Sequence, residues 1–188
     1  MKQVVLASQS EQRQKLLASL GIQFQVAAAD IDELSIQDKD DAVRARKVAE
    51  AKAAKIRLQF PTAIIVAADT FMLANQKRLE KPLDLLEARQ TLATLSGQNT
   101  KCFTGWVYSD PAKDLFVCRT TVTQITFRQL FEREIEGYVT TYPVTEWAGS
   151  FSTVYTPGVI SSIHGSLTSV QGLPIEELMP LFQQSNVL

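Results

Sequence analysis

An α/β fold built on a mixed sheet is the class this sequence predicts, and three observations carry the prediction. Apolar runs of strand length alternate with segments whose apolar residues recur at helical spacing. One run, Ala63-Ile64-Ile65-Val66-Ala67-Ala68, is apolar throughout, as a strand covered on both faces must be. Two further segments, Cys102 to Tyr108 and Leu115 to Phe127, read as long antiparallel strands joined at Ser109-Asp110-Pro111. With 188 residues, 45% hydrophobic and 21% charged, the chain suits a single domain over 1–188. A chain of that size buries about 70% of its unfolded surface, enough for a full core and a cleft.

The chain opens with Val4-Val5-Leu6-Ala7, a strand that stops at Ser8-Gln9-Ser10 and turns into a helix carrying Arg13. Such a junction presents backbone N–H groups and the positive end of a helix dipole, with a guanidinium just behind, which suits an oxyanion such as phosphate. The plainer alternative is that Ser10 caps a surface helix. Leu16, Leu17 and Leu20 form that helix's apolar face, Gly21 ends it, and Phe24 to Ala28 reads as a strand. After the acidic turn Asp30-Ile31-Asp32-Glu33, Asp40 and Asp41 open a long helix with Val43, Val48, Ala51, Ala54 and Leu58 as its apolar stripe and Pro61 just beyond. The covered strand then delivers Asp69-Thr70 at its end, where open α/β sheets place ligands.

A hairpin around Asn75-Gln76-Lys77 leads to Glu80-Lys81-Pro82. Asp84 and Glu87 form a capping pattern for a helix that turns Leu85, Ala88, Leu92 and Leu95 inward and closes at Ser96-Gly97. Phe131, Ile135, Tyr138 and Val139 mark another helix. The stretch from Gly149 onward, richer in Gly, Ser and Thr, divides between loops and strands.

Composition excludes several functions. The formal charge of −1, from 19 basic and 20 acidic side chains, leaves no global field to hold a nucleic-acid polymer or a membrane surface, so any bound polyanion is small. Met1-Lys2-Gln3 precedes only four apolar residues, too few for a signal-peptide core, and no apolar run approaches the roughly 18 residues of a membrane span. A cytoplasmic protein is expected. Cys102 and Cys118 lack a CxxC spacing and read as core residues. The single histidine, His164, rules out HExxH, three-histidine zinc and facial-triad iron sites, and without a GxSxG elbow it reads as a loop residue before Gly165. Neither GxxxxGK(S/T) nor a GxGxxG after a strand is present.

Charge appears where periodicity does not ask for it. Asp69 follows an apolar strand, where a carboxylate is costly unless paired, solvated in a cleft or bound to a metal; its other reading is a turn cap. Glu33 sits in an acidic cluster that suits Mg²⁺ or a solvated loop. Lys52 lies off the centre of its helix's stripe, which makes a surface lysine its default, and Lys81 precedes a proline that holds the chain extended. Two carboxylates for a hard metal, with Arg13, Lys52 and Lys81 for negative oxygens, suit metal-assisted attack of water on a phosphate ester or anhydride.

Leu6-Ala7-Ser8-Gln9-Ser10 with Arg13-Gln14-Lys15-Leu16-Leu17 resembles the opening of the Maf, or septum-formation-inhibitor-like, nucleotide pyrophosphatases. That family's further landmarks follow in order: Asp30-Ile31-Asp32-Glu33, Lys47-Val48-Ala49 with Lys52-Ala53, Ala68-Asp69-Thr70, Lys81-Pro82, Leu95-Ser96-Gly97, Thr104-Gly105, Ala148-Gly149-Ser150-Phe151 and Gly172-Leu173-Pro174. The resemblance covers nearly the whole chain. It implies a two-lobed α/β fold of the inosine-triphosphatase-like kind around a central cleft, usually dimeric. It also implies hydrolysis of a nucleoside triphosphate between the α- and β-phosphates, assisted by Mg²⁺ or Mn²⁺. On matching positions, Asp69, Glu33 and Lys81 are implied as catalytic, Glu33 and Asp69 as metal ligands, and Ser8, Arg13, Gln12, Lys52 and Thr70 as substrate-binding.

Two departures bear on these expectations. The family's Pro-Arg-Arg is Glu11-Gln12-Arg13, so one guanidinium is replaced by an amide with an anion beside it, and Val154-Tyr155 stands where many members carry Gln-Gly or Glu-Gly. Ala68-Asp69-Thr70 resembles the branch acting on thymidine and uridine triphosphates, and Ala148-Gly149-Ser150-Phe151 the branch acting on 7-methylguanosine triphosphate. The alternatives to a housekeeping hydrolase are a nucleotide-binding regulator linked to cell division, with turnover lost, and a sugar-phosphate or cofactor-handling enzyme.

Overall fold

Burial on both faces decides where the central strands fall. The computed structural model describes residues 2–153 and 157–188. In chain order the elements are β1 (Val4–Leu6), α1 (Glu11–Ala18), β2 (Gln25–Val26), α2 (Asp41–Arg57), β3 (Ile64–Ala74), β4 (Lys77–Leu79), α3 (Leu85–Leu95), β5 (Asn99–Asp110), β6 (Leu115–Phe127), α4 (Glu132–Thr141), β7 (Ile160–His164), α5 (Leu167–Val170) and α6 (Ile175–Gln184). The strands form a seven-stranded sheet in the order β2-β1-β3-β5-β6-β7, with β4 attached to β3. β1 runs parallel to β2 and β3, whereas β3–β4 and β6–β7 are antiparallel, so the sheet is mixed as the sequence predicts. Among the described residues no helix is long and apolar enough to cross a membrane.

The chain packs as two compact units, one of Met1–Asp69, Thr104–Thr121 and Thr168–Leu188, the other of Thr70–Phe103 and Val122–Leu167. In the first, alternate residues of β1 and β3 serve opposite faces. Val4, Leu6, Ile64, Val66 and Ala68 pack with Leu17 of α1 and with Leu178 and Phe182 of α6. Val5, Ala7, Ile65 and Ala67 pack with Ala49, Ala53 and Ile56 of α2. Covering both faces removes every position at which a polar side chain would meet water, which explains the uninterrupted apolar run.

α2 begins where Asp40 accepts from the N–H groups of Ala42 and Val43, at 2.8 and 3.2 Å, and Pro61 lies beyond its end, as expected. Its buried face differs from the stripe read in sequence. Arg44, Ala45, Val48, Ala49, Lys52, Ala53 and Ile56 are buried, while Ala54 and Leu58 face solvent. The helix is turned by about one residue because two charged side chains sit on the inner face, where hydrophobicity alone does not place them. Its approach to the sheet is backbone against backbone: a Cβ at Gly105 of β5 would lie 2.0 Å from the Ala45 carbonyl oxygen, so only glycine permits this packing. Arg57 anchors the far end, its guanidinium donating to the carbonyls of Phe60, Pro61 and Ala63 and to Ser109.

Other elements correct the sequence reading. The C-terminal stretch is not only loops and strands, because Ile175–Gln184 is a helix that buries Leu178 and Phe182. Pro180 inside it and the glycine-rich lead-in mask the i, i+3, i+7 spacing of Ile175, Leu178 and Phe182. β2 spans only Gln25–Val26 of the expected 24–28 strand. β3 runs on to Ala74, so Asp69 lies inside a strand rather than at its end. His164 closes β7 opposite Gln124 instead of lying in a loop, and Cys118 is half-buried whereas Cys102 is in the core.

In the second unit, Asn75 and Gln76 adopt φ of 50° and 62°, the mirror-image turn that suits the twist of the β3–β4 hairpin. Asp84 caps α3 by accepting from the Glu87 N–H at 2.8 Å, while the Glu87 carboxylate accepts from Leu83 N–H at 2.7 Å. Ala88, Leu92 and Leu95 point inward as expected; Leu85 is exposed. Ile135, Tyr138 and Val139 bury the inner side of α4, whereas Phe131 stands outside its N-terminus and is exposed. Phe71 stacks on Phe103 with ring centroids 5.5 Å apart, and Phe127 meets Phe151 edge to face at 5.0 Å.

In the first unit, the Lys2 ammonium ties the chain's start to the end of β5 by donating to Asp110, 2.8 Å away and buried. Burial works to raise the Asp110 carboxyl, but the hydrogen bond and charge of Lys2, helped by the Ala112 N–H, outweigh it and hold the group below its ordinary 3.8. A folded value below the unfolded one contributes stability above about pH 4 that is lost as pH falls through the folded value. Asp110→Asn is therefore expected to lower stability by about 1–3 kcal/mol at neutral pH. Chemical unfolding between pH 2 and 7 should show the difference from wild type shrinking on acidification.

Candidate active site

Two groups of polar side chains stand where β1 ends, both inside the first unit. β1 and β3 run in parallel register, Leu6 beside Val66, and the Ala7 N–H continues the ladder to the Val66 carbonyl at 2.8 Å. Ser8 follows immediately on the first strand's side and Asp69 lies three residues beyond Val66 on the other.

The first group is built on α1. Ser8 is buried; its Oγ accepts from the Ser10 N–H at 3.2 Å and from Arg13 Nη1 at 3.1 Å. The Ser10 side chain makes no capping hydrogen bond, so the expected cap is absent and Ser8 holds the turn instead. Arg13 Nε donates to the carbonyl of Gly172 at 3.0 Å. Gly172 has φ of +109°, and a Cβ there would lie 2.9 Å from Arg13 Nε. Gln12 is half-buried on the same helix.

The second group is built on α2. By the alternation of β3, Asp69 follows Ile65 and Ala67 onto the face that α2 covers. It is 7% exposed and accepts from the Lys52 ammonium at 3.0 Å. Lys52, also 7% exposed, lies 2.9 Å from Glu33 Oε1 and bridges the two carboxylates. Glu33 arrives on the turn after β2, where Asp32 accepts from the Ser35 N–H at 3.2 Å and fixes the local backbone. Arg44, two helical turns before Lys52 and 3% exposed, stands 3.9 Å from the other oxygen of Asp69 and donates to the Glu33 carbonyl at 3.5 Å. Two carboxylates and two cations thus neutralise one another, with Lys52, Arg44 and Asp69 buried and Glu33 reaching them from the half-exposed edge, which is the condition for keeping the buried charges there at all.

The structure therefore joins Glu33, Lys52 and Asp69 directly, and Ser8 with Arg13. Lys52 is not the surface lysine its position suggests, and Asp69 is paired rather than capping a turn. Thr70 follows Asp69 in β3 and is half-buried; Lys81 follows β4, is exposed, and precedes the buried Pro82, both in the second unit. Val154-Tyr155 lies outside the described residues. Two participants escaped the sequence reading. Arg44 shares the i, i+4, i+8 line with Val48 and Lys52, a signal visible only once the helix phase is known. Gly172 carried a signal in its own identity, since an isolated glycine ahead of Leu-Pro marks a backbone that no other residue adopts easily.

The family model described as Maf-like protein matches residues 3–185. A dTTP/UTP pyrophosphatase of Desulforamulus reducens is 35% identical over 179 residues, covering 95% of this chain and 94% of that protein. Another, of Pyrococcus furiosus, is 33% identical over 189 residues, covering 100% and 98%. Among solved structures, the Staphylococcus aureus Ham1 protein superimposes with a TM-score of 0.51 at 11% identity, over 98% of this chain and 100% of that one, which is a likeness of fold. With the landmarks in order along the sequence, a mixed α/β sheet beneath them and a family match from Gln3 to Ser185, the chain belongs to the Maf-like protein family.

Proposed function

We propose that this chain hydrolyses nucleoside triphosphates, thymidine and uridine triphosphate first among them, to the monophosphate and pyrophosphate. The observation that carries this reading is the buried Lys52 ammonium held between Glu33 and Asp69, in a chain whose relatives are named dTTP/UTP pyrophosphatases. In the balanced reaction a water oxygen forms a bond to the α-phosphorus. The bond from that phosphorus to the α–β bridging oxygen breaks, and its electron pair leaves with pyrophosphate.

Asp69 is the carboxylate best placed to orient the water and take its proton, because Lys52 hydrogen-bonds one of its oxygens and the Arg44 guanidinium faces the other from 3.9 Å. Lys52 has a third hydrogen to offer a phosphate oxygen, and Arg13, oriented from behind by Ser8 and Gly172, supplies a guanidinium for the negative tail. Thr70 and Lys81 keep the substrate-directed roles that the family pattern implies. Glu33 and Asp69 both reach the Lys52 nitrogen within 3.0 Å, and they are the two carboxylates that would hold a hard cation such as Mg²⁺ or Mn²⁺. Among the described residues no cluster of three or more metal-ligating side chains exists. Bound there, such a cation supplies charge neutralisation at phosphate oxygens and a more acidic water.

Purified protein assayed with Mg²⁺ or Mn²⁺ against normal and modified triphosphates is expected to release pyrophosphate and monophosphate in equal amounts. Saturable binding without any turnover would overturn the hydrolase reading in favour of a nucleotide-binding regulator. Asp69→Asn should reduce kcat by about 100-fold or more while the protein stays folded at the assay temperature. Lys52→Met leaves two carboxylates facing each other near one guanidinium and should cost about 3 kcal/mol in chemical unfolding, as well as turnover. Gln12→Arg restores a cation worth about 1.5–3 kcal/mol in a charge-assisted hydrogen bond and should lower KM roughly tenfold with little change in kcat.

A further inference from the structure

The turn from Thr168 to Ile175 is far more tightly fastened than a surface connection between two helices requires. The Gly172 N–H donates to the Ser169 carbonyl at 2.9 Å and the Leu173 N–H to the Thr168 carbonyl at 3.0 Å, closing the turn on itself. Thr168 Oγ1 accepts from the Ile175 N–H at 3.0 Å and donates to the Glu176 carboxylate, fixing the turn to the start of α6. Thr104 of β5, fully buried, donates its hydroxyl to the Ser169 carbonyl at 2.8 Å and fixes the turn to the sheet. Leu173 is buried in the core beside Leu17 and Phe182. Out of this frame the Gly172 carbonyl projects to Arg13 Nε at 3.0 Å.

The Arg13 side chain also lies flat against the glycine. A Cβ at Gly172 would meet Nε at 2.9 Å, Cγ at 3.1 Å and Cδ at 3.6 Å, so the place of a side chain at 172 is taken by the arginine stem. With Nε committed to Gly172 and Nη1 to Ser8, the guanidinium plane is fixed by two points on different elements. A half-buried arginine on an eight-residue helix otherwise samples several rotamers, and ordering it only on binding would cost affinity.

We propose that the Thr168–Ile175 turn is the positioning element of Arg13, with Gly172 the positioning residue and Thr104 its anchor. The turn preorganises the guanidinium for the triphosphate and itself touches no substrate. This rests on the reading of Arg13 as a phosphate-facing cation. It assigns a physical task to both Thr104-Gly105 and Gly172-Leu173-Pro174: Gly105 admits α2, and Thr104 and Gly172 align Arg13.

The test is a double-mutant cycle on the full chain, with affinity for α,β-methylene thymidine triphosphate and for inorganic pyrophosphate measured calorimetrically, alongside the Nε–H resonance of Arg13, assigned by its loss in Arg13→Ala. Gly172→Ala is expected to weaken binding of both probes by about tenfold and Thr104→Val by about threefold, with KM raised and kcat changed far less. Both losses should vanish in the Arg13→Ala background, and the Nε–H signal should shift and exchange faster in each single variant. Losses that persist undiminished without Arg13, or an Nε–H signal unchanged in folded variants, would overturn the proposal. Thr104→Val, nearly isosteric, carries the test if Gly172→Ala does not fold. If Arg13→Ala itself leaves affinity unchanged, the phosphate-facing reading fails, and the resonance arm still decides whether the turn orients the side chain.

Discussion

One ammonium group organises this molecule's chemistry. Lys52 is almost fully buried, and a buried cation persists only where opposite charge and hydrogen-bond acceptors are fixed around it. Its two acceptors come from far apart in sequence, Glu33 from the turn after β2 and Asp69 from within β3, so the bridge exists only if β1, β2, β3 and α2 are all in place. Arg44 completes the neutralisation at the second oxygen of Asp69. The cost of desolvating Lys52, Arg44 and Asp69 is offset by their attraction to one another and to Glu33, and what is gained is geometric definition. A carboxylate hydrogen-bonded at one oxygen and faced by a guanidinium at the other is restricted in orientation, which is the preorganisation that transition-state stabilisation draws on.

The glycines set the distances on which this arrangement relies. At Gly105 the helix that carries Lys52 and Arg44 comes to the sheet with no room for a methyl group, and that approach lets both side chains reach Asp69. At Gly172 the missing side chain is a berth for Arg13 and the positive φ aims a carbonyl at its Nε. Each of the two polar groups at the end of β1 is therefore supported by a position where the backbone itself does the work.

Against the family's pattern, one guanidinium next to Arg13 has become an amide, and Arg13 is held more firmly than a lone phosphate-facing arginine on a short helix would be by its own propensity. Fixing one cation in place and gathering two more around Asp69 are different ways of securing the same electrostatic end. The first limits rotamer entropy, and the second limits reorganisation.

Much of the fold was legible in the sequence because it follows from burial period and turn chemistry. The apolar run at 63–68 had to be a strand covered on both sides, Asp40 and Asp84 had to cap helices, and Asn75-Gln76 had to turn a hairpin. The order of short motifs further indicated the family. What hydrophobic periodicity misjudges is a face lined with charges, so it sets α2 about one residue out of phase and, taken alone, makes Lys52 a surface residue, whereas the family pattern directs it to substrate. α6 was hidden by the proline inside it, although the spacing of Ile175, Leu178 and Phe182 was present. By itself the sequence determined the element types, the mixed α/β class and the residues able to carry phosphate chemistry. Only the tertiary structure decided that Lys52 is buried, that Arg44 shares Asp69 and that Gly172 holds Arg13. A charge is read as solvent-exposed until the distant residues that neutralise it have been brought within hydrogen-bonding distance.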